Sequence, residues 1–373
     1  MTSKALHIVS FTVPFPANYG GAIDVFYKLK ALYEQGVEIT LHCFQYDRKE
    51  APELLKYCKQ VHYYQRKKSL SLFFSSQPYI VATRRSEDLI TNLLKNNEPI
   101  LLEGVHSCGI LGDVRFNNRK IIIRSHNIEH HYYEHLALSE RNWFKKIYFV
   151  TESKKLQKFE AVNFPLATEI WGISDKDTVY LQKNYRKGIK VSAFHQFSEL
   201  KIDLSSEPYA FYHGNLAIGE NIQAAMYLIE EIFSKTTHKL IIAGNNPPKE
   251  LINLCSQHSN IELMANISSD EIFSLLGKAQ MNVLPTFQST GIKLKLLAAL
   301  FRGKHCVVSP CMVEGTGLEE VCWVGKDSPS FLKLVEEKFQ EDFSEQELEK
   351  RADLLEEFSN EKNALRAIES IGF

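Results

Sequence analysis

Two lysines of this 373-residue chain stand where they weaken the helix they begin. In the run Leu284-Pro-Thr-Phe-Gln-Ser-Thr-Gly291-Ile292-Lys293-Leu-Lys295, an apolar strand pattern stops at a proline and a glycine opens a helical pattern. Lys293 and Lys295 then fall at or just before its first turn. A cation there opposes the helix dipole, and a bound diphosphate would remove the conflict. Ordinary solvated lysines are the alternative.

Three other loops carry candidate chemistry. Gly20 and Gly21 close the stretch Pro14-Phe-Pro-Ala-Asn-Tyr-Gly-Gly21 ahead of a helical pattern, and two glycines at a helix start let backbone N–H groups approach an anion. Gly214 and Asn215 follow an apolar run and Gly219 precedes a helix; no G-K-[ST] follows, so this phosphate-approach loop is not of the Walker type. In Arg124-Ser-His126-Asn127-Ile-Glu129, His126 leaves the end of a strand and can hydrogen-bond a sugar hydroxyl or a developing charge, while Asn127 suits a helix cap.

His131 and His135 have the i, i+4 spacing of a metal pair, but no Glu sits between them as in H-E-x-x-H. Asp175-Lys-Asp177 follows Ser174 in a helix-start pattern, so capping accounts for it. The sequence therefore predicts no metal site.

The elements that must position these loops repeat one theme, an apolar β-branched run followed by a helical pattern, which marks strands feeding crossover helices in a parallel sheet. Strands are expected at Ala5 to Phe11, Val37 to Phe44, Ile100 to Glu103, Lys120 to Ser125 and Glu169 to Ile173. A second set is expected at Tyr209 to His213, Lys239 to Ala243, Ile261 to Met264, Met281 to Leu284 and Cys306 to Ser309. Between the first two strands, Ala22, Phe26, Leu29 and Tyr33 recur at helical spacing.

The expected fold class is α/β, with two Rossmann-like doubly wound domains facing a central cleft. The boundaries read 1–200 for the N-terminal domain, 201–345 for the C-terminal domain, and 346–373 for a helical region packing back on the first. Ligand crevices of open parallel sheets lie beyond the carboxyl ends of the strands, so the two crevices are expected across one cleft.

Lys and Arg total 44 against 45 for Asp and Glu, which leaves no global field to attract nucleic acid. Seven scattered cysteines without C-x-x-C point to a reducing compartment. No apolar run reaches the length of a membrane span, so a cytoplasmic protein is expected. Two mixed basic and aromatic stretches, Arg66 to Phe74 and Arg141 to Lys158, suit an interface at the inner face of a membrane; a helix packed on the sheet is the plainer reading of the second.

The order of motifs resembles family 4 glycosyltransferases of the GT-B fold (glycosyl transferases group 1). It runs from Gly20-Gly21 through His126-Asn127, Ser174 with Asp175 and Asp177, Gly214, and Ile241-Ile-Ala-Gly244 with Pro247. It continues through the Gly291-Ile-Lys-Leu-Lys-Leu-Leu helix, Gly303, Val307-Val308 and the Glu314-Gly315 turn. The resemblance implies transfer of a sugar from a nucleoside-diphosphate sugar to a glycan or lipid-linked acceptor in envelope polysaccharide synthesis. It implies retention of configuration, no bound metal and no bound cofactor.

The residues implied for catalysis are His126, Lys293 and Lys295. Those implied for the donor are Gly20, Gly21, Gly214, Asn215, Gly244, Gly291, Ile292, Glu314 and Gly315, with Asn127 and Glu103 on the acceptor side. Two departures stand out: Thr290 and Ala298 occupy the positions of the family's E-x7-E pair, and the basic pair beside the opening glycine of the second domain is replaced by Asn215 and Glu220. A catalytically degenerate accessory subunit is the competing expectation, and an epimerase on the same architecture a third.

Overall fold

The computed structural model describes residues 4–140, 142–287 and 294–373. The chain forms two compact units, one of Met1–Gln196 with Glu357–Phe373, the other of Phe197–Glu356.

Unit 1 is built on a seven-stranded parallel sheet of β1 (Ala5–Ser10), β2 (Glu38–Gln45), β3 (Gln60–Gln65), β4 (Ile100–Glu103), β5 (Ile121–Arg124), β6 (Glu169–Gly172) and β7 (Ile189–Lys190). Its order is β3-β2-β1-β4-β5-β6-β7. Both faces are covered, which is why the central strands are continuously apolar. Ile100, Leu102, Ile121 and Ile123 enter one core, while the intervening Leu101 and Ile122 enter the other. The order reverses between β1 and β4, so the carboxyl ends of these strands, at Ser10 and Glu103, frame the crevice of this sheet.

Unit 2 holds a six-stranded parallel sheet of β8 (Glu207–His213), β9 (Lys239–Gly244), β10 (Ile261–Ala265), β11 (Ala279–Leu284), β12 (His305–Val308) and β13 (Trp323–Val324), ordered β10-β9-β8-β11-β12-β13. Its reversal lies between β8 and β11, at His213 and Leu284.

All ten strands expected from the sequence form, and three edge strands escaped it. β3 mixes His and Gln with Val and Tyr, and β7 and β13 have two residues each, too short for a pattern. In the helix Gly20–Glu34 the buried face is Ala22, Val25, Leu29 and Leu32, whereas Tyr33 is exposed. The stretch expected as one terminal helical region divides between the units. Helix Glu345–Leu355 stays with unit 2, where Arg351 donates to the carbonyls of Gly303 at 2.7 Å and Lys304 at 2.8 Å. Helix Asn360–Ile371 belongs to unit 1, burying Ala364, Ala367, Ile368 and Ile371, with Lys120 Nζ on the carbonyls of Ser370 and Ile371.

Candidate functional site

At the crevice of unit 1, five ionisable side chains converge from three elements. Helix Gly20–Glu34 supplies Asp24 and Lys28, one turn apart on its buried face; β4 ends in Glu103; β5 ends in Arg124 and runs on to His126. Lys28 Nζ donates to Asp24 Oδ2 at 3.0 Å and to both Glu103 oxygens at 2.7 and 2.9 Å. Arg124 clamps Asp24 with two N–H groups, at 3.2 and 2.9 Å, and reaches the carbonyls of Val191 and Ser192. His126 Nε2 is 2.9 Å from Glu103 Oε2, and its Nδ1 lies 3.7 Å from Asp24 Oδ2.

Burial alone would raise the pKa of both carboxyls; Arg124 and Lys28 outweigh it at Asp24, and Lys28 and His126 at Glu103, so both are held below the ordinary carboxylate range. Asp24, Glu103 and His126 bring ligand-type atoms within 4.8 Å of one another. The Lys28 ammonium, however, already lies against both carboxylates, in the place a cation would take. The cluster fits an ion-pair network better than a metal centre.

Gly104, which follows Glu103, has φ +68, and a Cβ there would meet His106 Nδ1 at 3.1 Å and His126 Cδ2 at 3.6 Å. Phe11 packs tilted on His106 and edge-on to His126. His106 Nδ1 is buried without a partner, and burial with Arg84 nearby holds its pKa well below the ordinary value. Behind this crevice, burial and the neighbouring Glu160 raise the Glu129 carboxyl to about 8. Asn127 does not cap the following helix: Ile128 holds the N-cap position without a side-chain bond, and the Asn127 carbonyl accepts from Ser125 Oγ. Helix Gly20–Glu34 starts at Gly20 with no side-chain cap and no acid in its first turn. Gly21 lies under the Phe11 ring, whose Cζ a Cβ there would meet at 2.7 Å, so a larger residue needs the ring to shift.

In unit 2 the loop after β8 is closed by its own side chains. Asn215 Oδ1 accepts from the Ala217 N–H, and Asn221 Nδ2 donates to the Asn215 carbonyl. A Cβ on Gly244 would sit 2.0 Å from the Gly214 carbonyl, so the glycine at the end of β9 is what lets the β8 loop fold over it. Lys295, in the first turn of helix Leu294–Arg302, points to this loop: its Nζ is 3.1 Å from Asn221 Oδ1, 3.5 Å from the Tyr212 hydroxyl and 5.1 Å from the Tyr212 ring centre. Thr286, just beyond β11, hydrogen-bonds Glu220 and is itself held by Ser309. Burial with Lys295 nearby lowers the His213 imidazole to about 3.

The structure thus brings Lys295, Gly214, Asn215 and Gly244 together in unit 2, and His126 and Glu103 together in unit 1. Gly291, Ile292, Lys293 and Thr290 lie outside the described residues. Ala298 is buried in helix Leu294–Arg302. Glu314 is exposed at the end of a short helix, and Gly315 beside it has φ 71, a left-handed value that favours glycine. Asp24, Lys28, Asn221 and Thr286 carry site geometry that sequence reasoning overlooked. Charged residues four apart within an apolar helical stripe were the available signal for the first two.

Comparison with known proteins bears on the family and the fold. Residues 207–346 match the family described as glycosyl transferases group 1. A Klebsiella pneumoniae protein described as an uncharacterized 44.6 kDa protein in cps region is 26% identical over 357 residues, which cover 88% of this chain and 89% of that protein. Among solved structures, the sucrose-phosphate synthase of Thermosynechococcus elongatus superposes with a TM-score of 0.70 at 12% identity, covering 98% of this chain and 97% of that one. Anabaena HepE, solved in complex with UDP and glucose, gives 0.65 at 10% identity, covering 99% of each chain.

Proposed function

We propose that this chain, which has the GT-B glycosyltransferase fold and whose residues 207–346 belong to the group 1 glycosyl transferases, moves a sugar from a nucleoside-diphosphate donor to a glycan or lipid-linked acceptor in surface-polysaccharide synthesis. The observation that carries the reading is the Lys295 ammonium at the start of its helix, directed to the loop that Gly214 and Gly244 allow to close. Cation and backbone N–H groups there stabilise the charge that develops on the departing diphosphate.

In the transfer, the bond from the anomeric carbon to the diphosphate oxygen breaks and a bond to an acceptor hydroxyl oxygen forms. The hydroxyl proton leaves with the diphosphate. Retention of configuration and independence from metal belong to the same proposal, with Lys295 as its fixed cation. Glu103 orients His126 by accepting a hydrogen bond from its Nε2–H, and His126 and Asn127 are assigned to the acceptor side.

A membrane surface is the proposed source of the acceptor. The two basic and aromatic stretches meet in space: Phe73 stacks on Tyr79 with ring centres 4.0 Å apart, abuts Tyr148 at 5.6 Å, and offers its carbonyl to Lys155 Nζ at 2.8 Å. Around that contact Leu70, Phe74, Trp143, Phe144 and Ile147 are exposed together with Lys145 and Lys146, a composition that suits an anionic lipid surface. No described helix is long and apolar enough to cross a membrane.

Ala298 favours a second reading, an accessory subunit without catalysis, because alanine cannot accept a hydrogen bond where the resembled family's E-x7-E motif carries its second glutamate. Incubation with a panel of nucleoside-diphosphate sugars and lipid-linked acceptors separates the two. Acceptor-dependent release of nucleoside diphosphate is expected; nucleotide binding without release under every pairing would favour the accessory role.

A further inference from the structure

At the outer edge of the unit 2 sheet, away from the carboxyl ends of β8 and β11, lies a cavity of about 150 Å³ lined by side chains that include Glu320, Trp323, Phe343, Glu347, Lys350 and Arg351. Arg351 is 2% exposed, and its Nε is a buried donor without a partner. Its other nitrogens are spent on the carbonyls of Leu300, Gly303 and Lys304, which end helix Leu294–Arg302. A buried N–H left unpaired costs about 1–3 kcal/mol, so this wall calls for an acceptor oxygen.

The opposite need is also present. Glu347 spends Oε2 on the Ser344 N–H and hydroxyl, while its Oε1 is 3.6 Å from His305 Nδ1. That nitrogen already takes the Trp323 N–H, because His305 Nε2 is turned to the Glu341 carbonyl. Oε1 therefore faces a nitrogen with no proton to give and, on a side chain 30% exposed, is open to a hydroxyl. The charges of the lining cancel, two acids against two bases, with Lys350 and Glu320 paired at 3.2 Å on the rim. Trp323 and Phe343 supply ring surface.

We propose that this cavity is a binding site for a neutral polyhydroxylated ligand the size of one sugar ring, accepting from Arg351 Nε and donating to Glu347 Oε1. Neutrality follows from the cancelled charges, the donor and acceptor contacts from the unpartnered Arg351 Nε and the accessible Glu347 Oε1, and a ring shape from C–H packing on the Trp323 and Phe343 rings. The site stands apart from the proposed donor loop and does not depend on the assigned reaction.

The test follows the Trp323 indole N–H in ¹H–¹⁵N spectra of the whole chain without nucleotide, its signal identified by W323F. Titration with D-glucose, D-galactose and N-acetyl-D-glucosamine is expected to shift this resonance saturably for at least one sugar, with a Kd of roughly 1–10 mM. E347Q, which keeps the helix cap but not the charge, is expected to weaken binding roughly fivefold. V321W, which fills the cavity from its half-exposed rim, is expected to abolish it. A resonance that no sugar moves, that moves unchanged in V321W, or that answers to glycine or inorganic phosphate and not to sugars overturns the proposal. Thermal stabilisation of V321W by UDP reports separately on the donor reading.

Discussion

Lys28 Nζ donates to both carboxylate oxygens of Glu103, at 2.7 and 2.9 Å, although the two residues lie 75 positions apart. Both side chains are fully buried. With Asp24 and Arg124 the pair ties the first helix to the ends of β4 and β5.

Removing one member of such a buried pair leaves an uncompensated charge, at a cost of about 3–5 kcal/mol. Lys28→Met is therefore expected to lower stability by that order in urea denaturation, while Lys28→Met with Glu103→Leu recovers a large part of it. Equal stability of the single variant and the wild type would remove the network from the account of the fold.

Lys295 is expected to act on the ligand more than on the fold, because it already sits against the helix dipole. Lys295→Ala should leave the thermal midpoint without ligand nearly unchanged and weaken stabilisation by UDP tenfold to a hundredfold, the loss of about 1.5–3 kcal/mol of charged hydrogen bonding. Unaltered stabilisation across a nucleoside-diphosphate panel would show that the pyrophosphate is held elsewhere.

A second buried network predicts a pH dependence. Asn96 Oδ1 accepts from the Glu98 N–H and from Arg119, so His7 Nε2 donates to it at 2.9 Å. With His7 neutral, its Nδ1 accepts from His42 Nε2 at 2.9 Å, and with His42 neutral its Nδ1 accepts from the Tyr64 hydroxyl at 2.8 Å; Asn92 completes the chain by donating to Tyr64. In this arrangement both imidazoles are neutral, each donating from Nε2 and accepting at Nδ1. Burial depresses both pKa values below 6.5; at His7 Glu98 opposes the shift while Arg119 and His62 reinforce it, and His62 and Lys95 add to it at His42. The contribution to stability is therefore full above about pH 6.5 and is lost as the pH falls below it, since the unfolded chain takes up the protons. Urea midpoints between pH 7.5 and 5 should decline, and His42→Leu should flatten the slope; an identical slope in that variant would refute the assignment.

The sequence made the central strands plain, because a parallel sheet covered on both faces needs uninterrupted apolar runs such as Ile121-Ile-Ile123. It also made the loop after β9 plain, since Gly244 stands where a Cβ cannot fit. Side-chain partners were less legible. Asp24 and Lys28 lie in a helix whose apolar spacing drew attention to Phe26 and Tyr33 instead, and their partners are strand ends far along the chain. His126 Nε2 is held by Glu103 and its Nδ1 lies 3.7 Å from Asp24, partners that no local pattern could reveal.

Ala298 provides the sharpest discrimination between an enzyme and an accessory subunit. It is 4% exposed, between the buried Leu297 and Ala299. A carboxylate placed there without a partner should destabilise the unliganded protein by about 1–3 kcal/mol. If the donor ribose lies beside this helix, its hydroxyls supply that partner. Ala298→Glu should then lower the unliganded thermal midpoint but gain more stability from UDP than the wild type does, with a Kd about tenfold tighter. Isothermal titration of both proteins decides the matter: weaker UDP binding by Ala298→Glu, with the fold intact by circular dichroism, would mean that the nucleoside does not sit against this helix.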